Sequence, residues 1–260
     1  MFVVKVPGIN GLGRTAGARD VGNDLIAELR KRDKAARSKK AEGGSAISRS
    51  SNSVSAASKK ADSALQNQLS VEQSSDLRFE EIHVDNDLLP EQEELIFRNA
   101  KEAFLGEERV VFLGGDHSIS YPICKSFFEV HPEGCLVVFD AHADCMPAMR
   151  EPTHEEWLRA LIERCGVSGE RVLLIGSREV EDIEEKFLID HKVHRISVSE
   201  VRDDFERVVE SVKEFIGGRA CYVSFDVDVL DASVLKATGY PVSGGLTLEE
   251  AKALVVGLVG

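Results

Sequence analysis

Seven short runs of apolar, often β-branched residues recur along the chain, and stretches with helical spacing separate them. This alternation limits the fold more than any other feature. The runs are Phe2–Val6, Leu77–His83, Arg109–Leu113, Leu136–Asp140, Val172–Ile175, Lys192–Ile196 and Ala220–Asp226. Helices are expected over Asn23–Lys34, Glu91–Phe104, Ile119–Val130, Glu155–Cys165, Val180–Asp190, Val201–Ile216 and Leu248–Leu258. Near-continuous apolar strands separated by amphipathic helices fit a parallel sheet buried on both faces. The expected fold is therefore α/β, a doubly wound and mostly parallel sheet with helices on both faces, in a single domain over residues 1–260.

One segment breaks the pattern. Ser38 to Ser75 holds 12 serines in 38 residues, and no aromatic residue lies between Phe2 and Phe79. Too little apolar area is available there to offset the entropy of ordering the backbone, so residues 38–75 are expected to be a flexible insertion or a loose helix. The basic residues leading into it, from Arg30 to Lys40, read as part of a solvated linker or insertion in preference to a polyanion-binding arm.

The balance of charge excludes some partners. With 45 acidic against 32 basic side chains the formal charge is −13, which speaks against a nucleic-acid binder. No apolar run approaches the roughly 20 residues of a membrane span. Five cysteines without a CxxC pair argue against both a disulfide framework and a thiolate metal site. With no signal peptide visible at Met1–Pro7, a cytoplasmic location is expected.

Ligands of parallel sheets bind beyond the carboxyl ends of the strands, and three runs end there in polar clusters. The first carries Gly114, Gly115, Asp116 and His117; the second Asp140, His142 and Asp144; the third Asp226 and Asp228. In an extended chain every second side chain points the same way, so each set can converge on one point. Four carboxylates in one crevice repel one another unless a cation compensates them. Four Asp and two His suit two divalent ions better than one. An oxygen-rich donor set without thiolate favours Mn2+, with Co2+, Ni2+ or Fe2+ as alternatives to it. Paired ions of this kind activate a water for hydrolysis. Asp116 and Asp231 fall off the alternation or at its far end and read as loop anchors or supports for the ligands.

These residues resemble the ureohydrolase family of arginases, agmatinases and formimidoylglutamases. The likeness rests on Gly114 to Ser118, on Asp140 to Asp144, on Ser224 to Asp231 and on the run from Ala237 to Thr247, in the family's order. It implies the three-layer arginase-like fold and two Mn2+ ions. One would be held by His117, Asp140, Asp144 and Asp226, the other by Asp140, His142, Asp226 and Asp228. It also implies a bridging hydroxide that attacks a guanidinium carbon and releases urea and an amine. The alternatives are a formimidoylglutamase-like enzyme releasing formamide, or a non-catalytic metal-binding member.

By the same likeness His154 is a proton-shuttling catalytic residue and Glu250 pairs with the substrate guanidinium. Each also has a plainer reading, His154 as a first-turn residue beside the Thr153/Glu156 capping pattern and Glu250 as a helix-start acid. The expected partner is a small guanidino compound, within a homo-oligomer, a trimer or hexamer. Two departures stand out: His154 is followed by Glu155 and Glu156 where agmatinases have Gly-Thr, and Asp231 by Ala232 where Pro is usual. The family normally continues to a further strand and helix, so a shortened or partial chain is expected.

Overall fold

The computed structural model describes residues 1–10, 23–45, 77–235 and 238–259. In chain order the elements are β1 (Phe2–Val6), α1 (Asn23–Ser45), β2 (Arg78–Glu81), α2 (Leu89–Gly106), β3 (Val110–Gly114), α3 (Ser120–Val130), β4 (Cys135–Phe139), α4 (Trp157–Cys165), β5 (Val172–Ile175), α5 (Asp182–Asp190), β6 (His194–Ile196), α6 (Val198–Asp203), α7 (Phe205–Ile216), β7 (Cys221–Phe225) and α8 (Leu248–Val259). All seven expected strands form, and every pairing between them is parallel. Backbone pairing divides them into two sheets rather than one, ordered β2-β1-β3 and β6-β5-β4-β7. Between β3 and β7 the link is made by side chains instead, with the rings of Phe112 and Tyr222 6.5 Å apart and Phe104 set edge-on to both.

The four-stranded sheet is covered on both faces, which explains why its strands are apolar without alternation. Leu136, Val138, Val172 and Leu174 point into a layer made by α3, α4 and α5. Val137, Phe139, Leu173 and Ile175 point the other way, against α6, α7 and α8. Strand β4, every residue of which is buried, is the centre of this three-layer arrangement. In the smaller sheet Phe2, Val4 and Val6 pack on Ile96, Ala100 and Ala103 of α2 and Ile123 of α3. Helix α3 thus belongs to both cores and fixes the sheets to each other.

Two expectations about helices change. The first helix runs to Ser45 rather than Lys34, and residues 46–75 of the Ser-rich segment lie outside the described residues. The single helix expected over Val201–Ile216 is two, α6 and α7, because Asp204 interrupts the apolar spacing and its side chain accepts from Arg207 N at 3.0 Å to cap α7. A cap of this kind contributes about 1 kcal/mol, enough to favour a fresh start over a continuous helix. Ser197 and Glu200 form the matching box at the start of α6. Among the described residues no helix is long and apolar enough to cross a membrane.

Candidate metal centre

The three polar clusters meet, but by turns and not by extended alternation as the spacing suggests. Strand β4 ends at Phe139, and Asp140 to Asp144 form a tight bend in which Asp144 takes a left-handed φ of 51°. A 3-10 turn over Val227–Val229 follows Asp226, and another begins at His117. Backbone N–H groups freed at these strand ends need acceptors, and the carboxylates supply them. Asp140 Oδ1 accepts from His142 N at 2.7 Å, Asp226 Oδ1 from Asp228 N at 2.9 Å and Asp228 Oδ1 from Ala141 N at 3.0 Å. Asp226 and Asp228 each spend one oxygen on the backbone and turn the other inward, whereas Asp140 Oδ1 serves the backbone and also faces the His142 ring.

The inward oxygens surround two imidazoles. His117 Nδ1 lies 2.9 Å from Asp140 Oδ2, 2.8 Å from Asp144 Oδ2 and 3.5 Å from Asp226 Oδ2. His142 Nδ1 lies 3.0 Å from Asp228 Oδ2 and 3.4 Å from Asp140 Oδ1. Ligand atoms of His117, Asp140 and Asp226 fall within 4.8 Å of one another, as do those of Asp140, His142 and Asp228. Asp140, only 3% exposed, is common to both groups, with Oδ2 against His117 and Oδ1 against His142. Asp226 joins the first group alone, so the geometry gives one shared carboxylate where the resemblance implies two. Asp144 sits beside the first group, with Oδ2 also accepting from Trp157 Nε1 at 2.6 Å.

A divalent cation fits this donor set. His117 Nε2 is hydrogen-bonded to Ser224 Oγ at 3.0 Å, which in turn meets Ser120 Oγ at 3.1 Å. With Nε2–H donating to Ser224, the lone pair of Nδ1 faces three carboxylates, and Nδ1 has no aligned hydrogen bond in spite of its short contacts. Donor atoms that converge on a point without donating to one another are arranged as ligands are around an ion. In the metal-free protein protons must do the ion's work. Burial, and then the charges of Asp140 and Asp228, push Asp226 up to about 7; burial and Asp140 likewise raise Asp144 and Asp228. Burial alone would depress the imidazoles, yet their carboxylate neighbours outweigh it, raising His117 well above its ordinary value and His142 to about 11. Asp140 goes down in spite of burial because both imidazoles stand against its carboxylate.

The remaining candidates have other occupations or stand apart. Asp116 anchors a loop, with Oδ1 accepting from Ser118 N at 3.1 Å and Oδ2 from Asn10 N at 3.0 Å. Gly115, just before it, passes so close to Gly8 that a Cβ would lie 1.8 Å from the Gly8 carbonyl oxygen, which accounts for the double glycine. Asp231 gathers the N–H groups of Ser233, Gly244 and Gly245, and its bond from Ser233 helps hold its carboxyl down at about 2. Glu250 accepts from Thr247 N at 2.7 Å, as the third residue of a capping box, and from Arg202 Nε at 3.1 Å. Its carboxylate is taken up by these two partners, so the structure gives Glu250 a helix-capping and ion-pairing place in contrast to the guanidinium-pairing one expected of it. His154 is buried, 9% exposed, and neither ring nitrogen has a hydrogen-bond partner.

Sequence reasoning passed over three residues. Trp157, the only tryptophan, both orients Asp144 and packs 4.8 Å from the His117 ring. Arg178 donates to the carbonyls of Asp228 at 2.9 Å, Val242 at 2.8 Å and Ser243 at 3.1 Å, tying the third ligand turn to the following loop. Tyr240, on that loop, stacks on His154 with centroids 5.3 Å apart and stands 6.3 Å from the His142 ring. Only the uniqueness of Trp157 was a signal in the sequence; the other two act through backbone and ring contacts that spacing does not reveal.

The arginase family profile matches residues 31–260 of the chain. The chain belongs to the arginase family. Among curated relatives, hepatic arginase of Aquarana catesbeiana is 34% identical over 160 residues, covering 53% of this chain and 50% of its own length. An Escherichia coli agmatinase is 29% identical over 169 residues, covering 65% and 53% respectively. The chain thus spans about half the length of the curated relatives it matches. Trypanosoma cruzi formiminoglutamase, solved with Mn2+, shares the fold with a TM-score of 0.73 at 20% identity, over 97% of this chain and 78% of that one.

The raised groups fix the pH behaviour of the chelated protein. Asp226, His117 and His142 all bind protons more tightly folded than unfolded, so their contribution to stability is present in acid and lost as pH rises. Asp140, shifted the other way, titrates below this window. In excess chelator the melting temperature should fall between pH 5 and 9, and saturating Mn2+ should flatten or reverse the slope. A metal-free melting temperature that rises across that range would contradict the electrostatic account.

Proposed function

We propose that this arginase-family chain is a dinuclear manganese hydrolase that cleaves a C–N bond of a small guanidino compound and releases urea and an amine. The observation that carries the proposal is Asp140, whose two oxygens are turned toward two separate groups of imidazole and carboxylate atoms. His117, Asp140, Asp144 and Asp226 would hold one ion, and Asp140, His142 and Asp228 the other. Manganese is favoured by the oxygen-rich donor set and by the Mn2+ in the trypanosomal neighbour of the same fold. Bound divalent ions neutralise the carboxylates and make a water acidic enough to react at neutral pH.

The chain's own residues do the rest. His117 is fixed in ring orientation by Ser224, Asp144 by Trp157, and the Asp228 turn by Arg178. His154 is the proton donor to the departing amine in this reading, a buried imidazole whose nitrogens make no hydrogen bond, with Nε2 3.8 Å from the Glu155 carboxylate. Tyr240 holds its ring flat and offers a planar guanidinium an aromatic wall. Glu250 is left out of the substrate contacts because Arg202 and Thr247 already engage it.

After Mn2+ loading, urea should appear with at least one of agmatine, arginine and guanidinobutyrate. No urea from any, with two ions bound, would remove the guanidino substrate class, and formamide from a formimino compound would replace it. His154→Asn should lower kcat by about 10²–10⁴ with metal content unchanged. An unaltered kcat would take the proton-donor role from His154.

A further inference from the structure

The five cysteines take no part in the proposed reaction, yet two of them are direct neighbours. Cys135 opens β4 and Cys221 opens β7, and parallel pairing sets them in register. Side chains at registered positions of adjacent strands share a face; here it is the one carrying Val137 and Val223, toward α7 and α8. Cys135 is fully buried and Cys221 half-buried, so a small solute reaches the pair from the Cys221 side. Both are free thiols.

We propose that Cys135 and Cys221 are a redox-active thiol pair that closes to a reversible cross-strand disulfide when the protein meets hydrogen peroxide. Three features support it. The two thiols stand side by side in register, each with a backbone carbonyl for its S–H, Ala220 O for Cys135 and Tyr222 O for Cys221, both at 3.7 Å; the neighbouring thiol, with Arg219 and Arg171, draws Cys135 down against burial, and the same neighbour raises Cys221. Two thiols in contact share one readily lost proton, and the thiolate it leaves is the reactive species of the pair. The spacing also suits a bridge. Neighbouring strands lie about 4.7–4.9 Å apart, within the roughly 4.4–6.8 Å that a disulfide spans between α carbons. Half-exposure at Cys221 leaves the bond open to a reductant, and exposed disulfides are the readily reduced ones.

The other cysteines lack this arrangement. Burial raises Cys124 and Cys145, and Cys165 is paired with the Tyr121 hydroxyl at 3.9 Å. The chemistry balances with peroxide as the oxidant. The thiolate sulfur of the pair attacks one peroxide oxygen, the O–O bond breaks and hydroxide leaves, giving a sulfenic acid. The other sulfur then displaces the sulfenic oxygen, which departs as water, and the two thiol protons end in the two waters formed. At about 3.3 Å per residue the pair sits on the order of 16 Å from Asp140 and Asp226, at the opposite ends of the same two strands, so closing it leaves the ligand turns in place.

The test is peroxide treatment of the whole chain, alkylation of the remaining thiols, and mass spectrometry of the intact protein and of its peptides. The expected result is loss of two of the five alkylatable thiols, a fragment spectrum joining Cys135 to Cys221, and full recovery with dithiothreitol. Cys221→Ser should abolish the linkage and Cys165→Ser should keep it. Five alkylatable thiols after treatment, a linkage between other cysteines, or one that persists in Cys221→Ser would each overturn the proposal. The peptide spectrum of the unsubstituted protein decides the matter even where a variant folds poorly.

Discussion

Everything at the working edge of this protein follows from placing four carboxylates around two imidazoles in a buried crevice. Such a concentration of negative charge is tolerable only when something positive sits among it. In the bare chain that positive charge is protonic, which is why Asp226, Asp144 and Asp228 are drawn up while Asp140 is drawn down. The cost of this arrangement explains the surrounding architecture, because a repelling set of side chains keeps its geometry only if each member is held from behind.

The holding is done mostly by groups of no direct chemical role. Backbone N–H groups at the ends of β4 and β7 take one oxygen from each of Asp140, Asp226 and Asp228, so that the bend of the chain and the aim of the carboxylate are one event. Ser224 and Trp157 orient His117 and Asp144, and Arg178 joins the Asp228 turn to the loop of Tyr240. These contacts rest on rigid layers: β4 is buried along its whole length, and α3 links the cores of the two sheets. Placing the site at the end of the most confined strand gives the ligands the least freedom to separate.

Much of this was legible in the sequence, for physical reasons that can be named. A strand buried on both faces must be apolar throughout, so all seven strands announced themselves, and polar residues directly after such strands stand out against them. The six candidate metal-holding residues stood out for that cause. Their convergence was anticipated by a wrong route, since extended alternation was assumed where a bend, with Asp144 in a left-handed conformation, and a 3-10 turn do the work. Glu250 was misplaced because a capping-box acid and a substrate-pairing acid look alike in one dimension. Trp157, Arg178 and Tyr240 could not be read because their roles are long-range contacts, and the break between α6 and α7 hung on a single capping Asp204 within an otherwise continuous apolar pattern.

The central claim is that Asp140 joins two cation sites into one centre. Counting manganese per chain by elemental analysis after Mn2+ loading and gel filtration, in the unsubstituted protein and in Asp140→Asn, tests it most directly. The account predicts two ions per chain in the first and loss of occupancy at both sites in the second. A single ion in the unsubstituted protein, or a count that Asp140→Asn leaves unchanged, would contradict it.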